Sequence, residues 1–296
     1  MASHGSDLPT AAEEGFKDAA SYDAYRPSYP PEAVDTFLTK LKVAEQFGSK
    51  IVEIASGTGK FTELLAKRPE SFTVKAIEPH HGMREKLAQK DLTGVEVIDG
   101  KADKMPVEDE WGDACIAAQS FHWFATQEAL KEIQRVLKPG AVFGAIWNIE
   151  DYNKPQSWKA TTKWEQKLND FIWSLDDGLP RFRHQLMFAV KKWKEVFDQQ
   201  LPGNPIQVIK DTFTDRLPRF SLPLGEDSIK WTVWLSEEAL ASRLNTLSQI
   251  AVLKGEERET WVKLFKETIQ NDDVERNEKG EIAVHGVTFF TWTDRL

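Results

Sequence analysis

Cysteine is nearly absent: one residue, Cys115, in a chain of 296. A single thiol can neither close an intrachain disulfide nor build a cysteine-based zinc cluster, and this usage fits a reducing compartment. Basic residues are the minority, 38 Lys and Arg against 47 Asp and Glu, for a net charge of −9. No long basic run offsets that excess, and such a surface repels phosphate backbones, which disfavours nucleic acid as a partner. Long hydrophobic runs are missing as well. No stretch reaches the roughly 18–20 apolar residues of a membrane span, and residues 1–10 lack a basic start followed by an apolar stretch. The expectation is a cytoplasmic protein with no membrane association. Tyrosine is sparse at 4, whereas tryptophan reaches 11, many of them after Asn148. The length allows one large α/β domain, or a domain carrying a subdomain.

Five segments follow from the pattern. Residues 1–14 are small, polar and acidic and are expected to be disordered. Residues 15–48 begin with tyrosines and prolines in alternation, Tyr22-Asp23-Ala24-Tyr25-Arg26-Pro27-Ser28-Tyr29-Pro30-Pro31. They read as a lid and a first helix, with Pro31 in its first turn and Gly48 closing it after Phe47. Residues 49–148 show the regular punctuation of a parallel sheet: strands at 51–55, 72–77, 95–98, 113–118 and 141–147, separated by single helices. The turn Pro139-Gly140 precedes the fifth strand. Cys115 falls inside an apolar strand and reads as core. Residues 149–205 carry helical spacing through Trp164, Leu168 and Ile172, then through Leu186, Val190, Trp193 and Phe197, which places Trp164 and Trp193 in a helical cap. Residues 206–296 read as a strand at 206–215, cap helices within 217–270 with Ser236 as a helix cap, and a last strand at 281–293 interrupted by Gly286.

The chemistry-bearing motifs fall one per strand. Glu53-Ile54-Ala55-Ser56-Gly57-Thr58-Gly59 is a strand-turn-helix whose glycines bring backbone N–H groups and a helix start to a ligand. A dinucleotide G-x-G-x-x-G pattern would need a third glycine at Thr62, so an oxidoreductase loop is disfavoured. Glu78 ends the second strand 19 residues after Gly59, where a carboxylate can accept from two ribose hydroxyls. Gly100-Lys101-Ala102-Asp103-Lys104-Met105-Pro106 follows the third strand. Asp113 opens the fourth, which leads into Gln119-Ser120-Phe121-His122-Trp123-Phe124, and Val136-Leu137-Lys138-Pro139-Gly140 precedes the fifth.

In this order the motifs resemble the class I S-adenosylmethionine (SAM)-dependent methyltransferases. Within them the chain is similar to the small-molecule group of trans-aconitate and fungal cantharidin-resistance methyltransferases. The narrower likeness rests on Tyr25-Arg26-Pro27-x-Tyr29-Pro30, on Gln119-Ser120-Phe121-His122-Trp123-Phe124, and on Leu244-x-Thr246-x-Ser248. The broad resemblance covers residues 16–147. It implies an α/β, Rossmann-like fold with a seven-stranded mostly parallel sheet, helices on both faces and a helical cap inserted after strand five. It also implies SAM as cofactor and S-adenosylhomocysteine as product. By the same resemblance Glu53, Ala55, Gly57 and Gly59 belong to the cofactor loop and Glu78 holds the ribose. Ala102 and Asp103 meet the adenine, Gln119 lines the floor, and Tyr25 and Arg26 close over the site. Family loops carry glycine where this chain has Ala55, a methyl group expected to be tolerable at negative φ.

The partner implied is a small-molecule methyl acceptor, with Tyr22, Trp123, Trp147 and Trp231 as candidate contacts under an aromatic cap. A carboxylate acceptor needs only cations to hold it, Arg26 first and Arg181 or Arg183 next. A phenol, amine or alcohol must lose a proton, for which His122 is the candidate base; its other reading is a packed, hydrogen-bonded ring. The tetrapeptide expected of nucleobase or amide N-methylation is absent after the fourth strand. His80 and His81 are adjacent, diverge in direction and lack a third ligand, so no metal is expected. One rival is an enzyme of the same fold that uses SAM non-canonically; another, of a different class, is a methyltransferase-like binding or regulatory protein without catalysis. The acceptor's identity and the oligomeric state stay open.

Overall fold

The computed structural model describes residues 28–175, 192–200 and 218–296. The chain divides into two compact units, one holding residues 28–148, 192–200, 218–231 and 287–296, the other residues 149–175 and 232–286. The sheet has seven strands: β1 (Lys50–Ile54), β2 (Thr73–Ile77), β3 (Val95–Ile98), β4 (Gly112–Ala118), β5 (Leu137–Glu150), β6 (Gly225–Leu235) and β7 (Ile282–Asp294), in the order β3-β2-β1-β4-β5-β7-β6. It is mostly parallel: β1 pairs with β2 and with β4, β2 with β3, and β4 with β5, all in the parallel sense.

In the first unit, helices α1 (Pro31–Lys40), α2 (Thr62–Ala66), α3 (His81–Ala88) and α4 (Gln127–Val136) alternate with the strands. Both sheet faces are buried, so the strands read as near-continuous apolar runs. Alternation along β5 sends Val142 and Ile146 into a core with Phe37 and Leu38 of α1 and Leu65 of α2. It sends Phe143 and Trp147 to the opposite face, against Phe121, Trp193 and Phe197. β7 divides in the same way: Phe290 meets Phe37, and its neighbour Phe289 meets Trp147. α1 lies so close to β5 that a Cβ on Gly144 would stand 2.6 Å from Leu41 and 2.7 Å from the Phe37 ring.

Pro31 occupies the first turn of α1 as expected, but the helix ends at Lys40 rather than at 47. Lys42 and Glu45 take positive φ (62° and 61°) and turn the chain so that Leu41 and Val43 are buried. The Pro139-Gly140 pair lies within β5 instead of before it, beside a register shift between Gly112 and Ala114. β7 continues through Gly286 without a break.

The second unit contains α5 (Lys163–Ser174), α7 (Glu237–Asn245), α8 (Ser248–Ala251) and α9 (Gly255–Thr268). Its core joins Tyr152, Trp164, Leu168, Leu244, Trp261 and Ile282, and Ser236 caps α7 by accepting from the Ala239 N–H at 3.1 Å. Two expectations fail around it. Residues 225–235 were expected within a helical cap and form β6 instead. Half-buried Ile229, Trp231, Val233 and Leu235 alternate there with exposed Lys230, Thr232 and Trp234, a period of two. Trp193, expected in the cap, belongs with α6 (Glu195–Asp198) to the first unit, where its ring centroid lies 5.2 Å from that of Trp147. The segments at 1–27, 176–191 and 201–217 lie outside the described residues. With them lie the disordered start, the lid residues Tyr22, Tyr25 and Arg26, Arg181 and Arg183, the helical positions Leu186 and Val190, and the strand expected at 206–215. Among the described residues no helix is long and apolar enough to cross a membrane.

Candidate active site

Parallel register brings the motifs to one edge of the sheet. Ile54 pairs with Ile77 and Ala117, Ile77 with Ile98, and Ala118 with Ile146. The residues that follow each strand therefore gather at the carboxyl ends, and between β1 and β4 the strand order reverses, the place where open α/β sheets bind ligands. The β1 turn is held from below: the Ser56 N–H donates to the Ile77 carbonyl at 3.1 Å and the Gly59 N–H to the Ser56 carbonyl at 2.9 Å. Ala55, Gly57 and Gly59 all adopt positive φ, at 51°, 59° and 88°. The negative φ at which a methyl group would be tolerable is therefore not the one Ala55 adopts. The turn demands the left-handed region, and an L-residue meets it at a cost of about 1–2 kcal/mol. At Gly59 no side chain fits, because a Cβ there would come within 2.3 Å of Leu87 Cδ1.

Two acids flank this turn and differ in role. Glu53, 1% exposed, accepts from Thr62 Oγ1 at 2.7 Å and so ties the end of β1 to the start of α2. Burial pushes its carboxyl up to about 8, against the Thr62 hydroxyl and assisted by nearby Glu78. Glu78, 4% exposed, accepts from the Gly57 N–H at 2.8 Å with one oxygen and from the His80 N–H at 2.7 Å with the other. Burial raises its pKa too, while the two N–H donors and Arg84 oppose the rise. Arg84 donates to the Glu78 and Pro79 carbonyls at 2.9 and 3.0 Å and pairs with Asp99 at 3.2 Å, joining the ends of β2 and β3. His80 caps α3, its Nδ1 accepting from the Met83 N–H at 3.3 Å, and His81 faces Glu85. Among the described residues no group of three or more metal-ligating side chains converges.

After β3, Lys101 and Lys104 bridge across a tight turn that carries half-buried Ala102 and exposed Asp103 at its tip. α4 holds the following loop. Arg135 donates to the Met105 and Val107 carbonyls at 2.9 and 2.7 Å, and Glu132 accepts from the Met105 N–H at 2.7 Å. Asp113 sits at the far end of β4 from Gln119, accepting from the Lys50 N–H and from Lys138, which makes it a fastener of the strand starts. Cys115 is fully buried and burial raises its thiol pKa.

Gln119 also takes a positive φ, 56°, and its amide donates to the Asn148 carbonyl at 2.9 Å. Asn148 donates to the Ser28 carbonyl at 3.0 Å and accepts from the Thr288 hydroxyl at 2.6 Å, which in turn accepts from the Trp231 indole at 3.1 Å. Asn148 and Thr288 are absent from the candidate residues read from the sequence. The one available signal was an amide directly after the apolar run that ends at Trp147. His122 and Trp123 lie in a single 3₁₀ turn, Phe121–Trp123, and His122 Nδ1 accepts from the Trp147 indole N–H at 3.1 Å. Trp123 and Trp231 are half-buried, whereas Trp147 is 2% exposed and packs in the core, reaching the sheet edge through His122.

The sequence matches the family described as a methyltransferase domain over residues 52–144, a span that carries the turns after β1 to β4. An uncharacterized methyltransferase-like protein of Schizosaccharomyces pombe is 32% identical over 243 residues, 82% of this chain and 80% of that one. The chain belongs to the methyltransferase family. A second S. pombe methyltransferase is 39% identical over 139 residues, 47% of this chain and 53% of its own length. Among solved structures, a candidate methyltransferase from an antibiotic biosynthesis pathway of Anabaena variabilis superposes with a TM-score of 0.52 at 17% identity. That match covers 88% of this chain and 96% of the other. The Haemonchus contortus phosphoethanolamine N-methyltransferase 2, solved with phosphomonomethylethanolamine and S-adenosylhomocysteine, superposes at 0.50 and 12%, covering 99% of this chain and 61% of its own. At these identities the two structures speak for the fold alone. In this methyltransferase, the family match begins inside β1 and ends inside β5, so it spans all five motif-bearing strands.

Proposed function

We propose that this methyltransferase binds SAM along the carboxyl edge of β1, β2, β3 and β4, and methylates an oxygen, carboxylate or hydroxyl, of a small organic molecule, leaving S-adenosylhomocysteine. The observation that carries the reading is Glu78: a buried acid at the carboxyl end of β2, beside the β1 turn, whose two oxygens accept from the Gly57 and His80 N–H groups. A carboxylate accepts more than one hydrogen bond per oxygen, so ribose hydroxyls fit the same donor-poor, acceptor-rich spot. The left-handed turn through Ala55, Gly57 and Gly59 presents its backbone to the methionine part. Ala102 and Asp103 would meet adenine, Gln119 would form the floor, and Tyr25 and Arg26 would cover the bound cofactor. The solved relative that holds S-adenosylhomocysteine lends support by fold.

When bound, SAM supplies a methyl group on a sulfonium, a carbon open to in-line displacement. The protein's part is alignment and exclusion of water. Tyr22, Trp123 and Trp231 are the proposed contacts of the acceptor, and Trp147 acts on it through His122. The narrower affinity with the trans-aconitate and cantharidin-resistance group, and a cytoplasmic place of work, belong to the same proposal. Against a catalytically silent binding protein stands the intact Glu78, buried at the β1 turn and bonded to its Gly57 N–H.

Two measurements test this. Calorimetry should show binding of SAM or S-adenosylhomocysteine, and Glu78→Ala should weaken it by about 1–3 kcal/mol, the worth of a charged hydrogen bond. A screen of small acids, phenols and amines with methyl-labelled SAM should yield a labelled product. Absence of cofactor binding to the unmodified protein removes the proposal.

A further inference from the structure

His122 is read from its sequence either as a base or as a packed ring, and its contact with Trp147 separates the two. Indole nitrogen only donates. At 3.1 Å from the Trp147 N–H, His122 Nδ1 must therefore be the acceptor, and the neutral ring carries its hydrogen on Nε2. The opposite tautomer, or the imidazolium, would set N–H against N–H across that distance. Trp147 has little room to turn aside. It is 2% exposed, with the Trp193 ring centroid at 5.2 Å and Phe289 at 6.0 Å. The Trp123 ring lies 5.2 Å from His122 on the same turn.

We propose that Trp147 is a positioning residue that locks His122 as the Nε2–H tautomer, so that His122 meets its surroundings as a hydrogen-bond donor and is excluded as the proton acceptor of the reaction. A general base must offer a nitrogen lone pair, and here Nδ1 has committed its own to the indole while Nε2 bears hydrogen. The proposal rests on the preceding reading only in assigning His122 to the acceptor side of the site. Its consequence is that an acceptor hydroxyl would have to arrive ionised or lose its proton elsewhere.

Nuclear magnetic resonance on protein labelled with ¹⁵N in histidine and tryptophan tests the lock without reference to activity. His122→Ala identifies the ring signals. The unmodified protein should show one Nε2-protonated form at neutral pH, with a scalar coupling across the hydrogen bond from Trp147 Nε1 to His122 Nδ1. Trp147→Phe, which keeps an aromatic ring and removes the donor, should shift His122 toward a mixture of tautomers. An Nδ1-protonated ring in the unmodified protein, or no coupling across the bond, overturns the proposal. So does a folded Trp147→Phe protein with an unchanged His122 spectrum. If Trp147→Phe does not fold, the coupling in the unmodified protein still decides. A protein that shows the lock but transfers no methyl group would sink the proposed function and leave the lock standing.

Discussion

Glu53 and Glu78 flank the turn after β1, and burial raises the pKa of both, that of Glu53 to about 8. That value makes Glu53 a neutral acid at physiological pH, with a consequence for stability. Below its ordinary value of 4.5 the group is protonated in the folded and unfolded chains alike. As pH rises from there toward 8 the unfolded chain releases a proton that the folded chain keeps, so folding loses stability, at up to about 1.4 kcal/mol per pH unit. Glu53→Gln retains an acceptor for Thr62 and removes the ionisation. The variant should gain stability relative to the parent as pH rises from 5 to 8 in chemical denaturation, and a constant difference across that window would show that Glu53 titrates normally. Ala55 gives a second test at this scale. Its left-handed φ costs what glycine would not, partly offset by glycine's freer unfolded chain. Ala55→Gly should melt at or slightly above the parent temperature, whereas Ala76→Gly in buried β2 should lower stability by about 1 kcal/mol. A loss at Ala55 as large as at Ala76 would contradict the strained turn.

At the scale of elements, α4 does more than cover the sheet. Arg135 holds two carbonyls of the loop after β3, and Glu132 holds its Met105 N–H, so one helix face sets the path of the segment proposed to meet adenine. Arg135→Ala should cost about 1–2 kcal/mol of stability and weaken S-adenosylhomocysteine binding. Stability lost with affinity intact would detach the loop from the cofactor. This clamp was not legible in the sequence, because Glu132 and Arg135 read as ordinary exposed charges of an amphipathic helix. β6 is legible in the sequence by its period of two at Ile229, Trp231, Val233 and Leu235, though it stands among helical segments that hide it.

For the whole molecule, net charge yields one prediction. A net charge of −9 predicts weak association with phosphate backbones, which an acidic surface repels. A mobility-shift assay with duplex DNA and with RNA at low salt should show no retained complex, and a salt-sensitive complex would reveal a local basic surface that the totals conceal. Within the first unit, aromatic residues from distant stretches, Phe121, Phe143, Trp147, Trp193, Phe197 and Phe289, form one buried cluster. This cluster draws residues 192–200 away from the helical unit in which their spacing had placed them.

The alternation of short apolar runs with single helices was enough to determine the parallel sheet, and the 19-residue interval from Gly59 was enough to single out Glu78. Both are local properties, since strand period and βα spacing are set by backbone geometry within about 30 residues. What only the tertiary structure decided are facts of orientation between remote positions. The Thr288 hydroxyl meets Asn148 across 140 residues of chain, and the Trp147 indole N–H meets Nδ1 of His122 from the neighbouring strand. Hydrogen bonds depend on distance and direction, neither of which is written in residue order. His122 could therefore be named from the sequence, but the nitrogen that carries its proton follows only from the packed ring beside it.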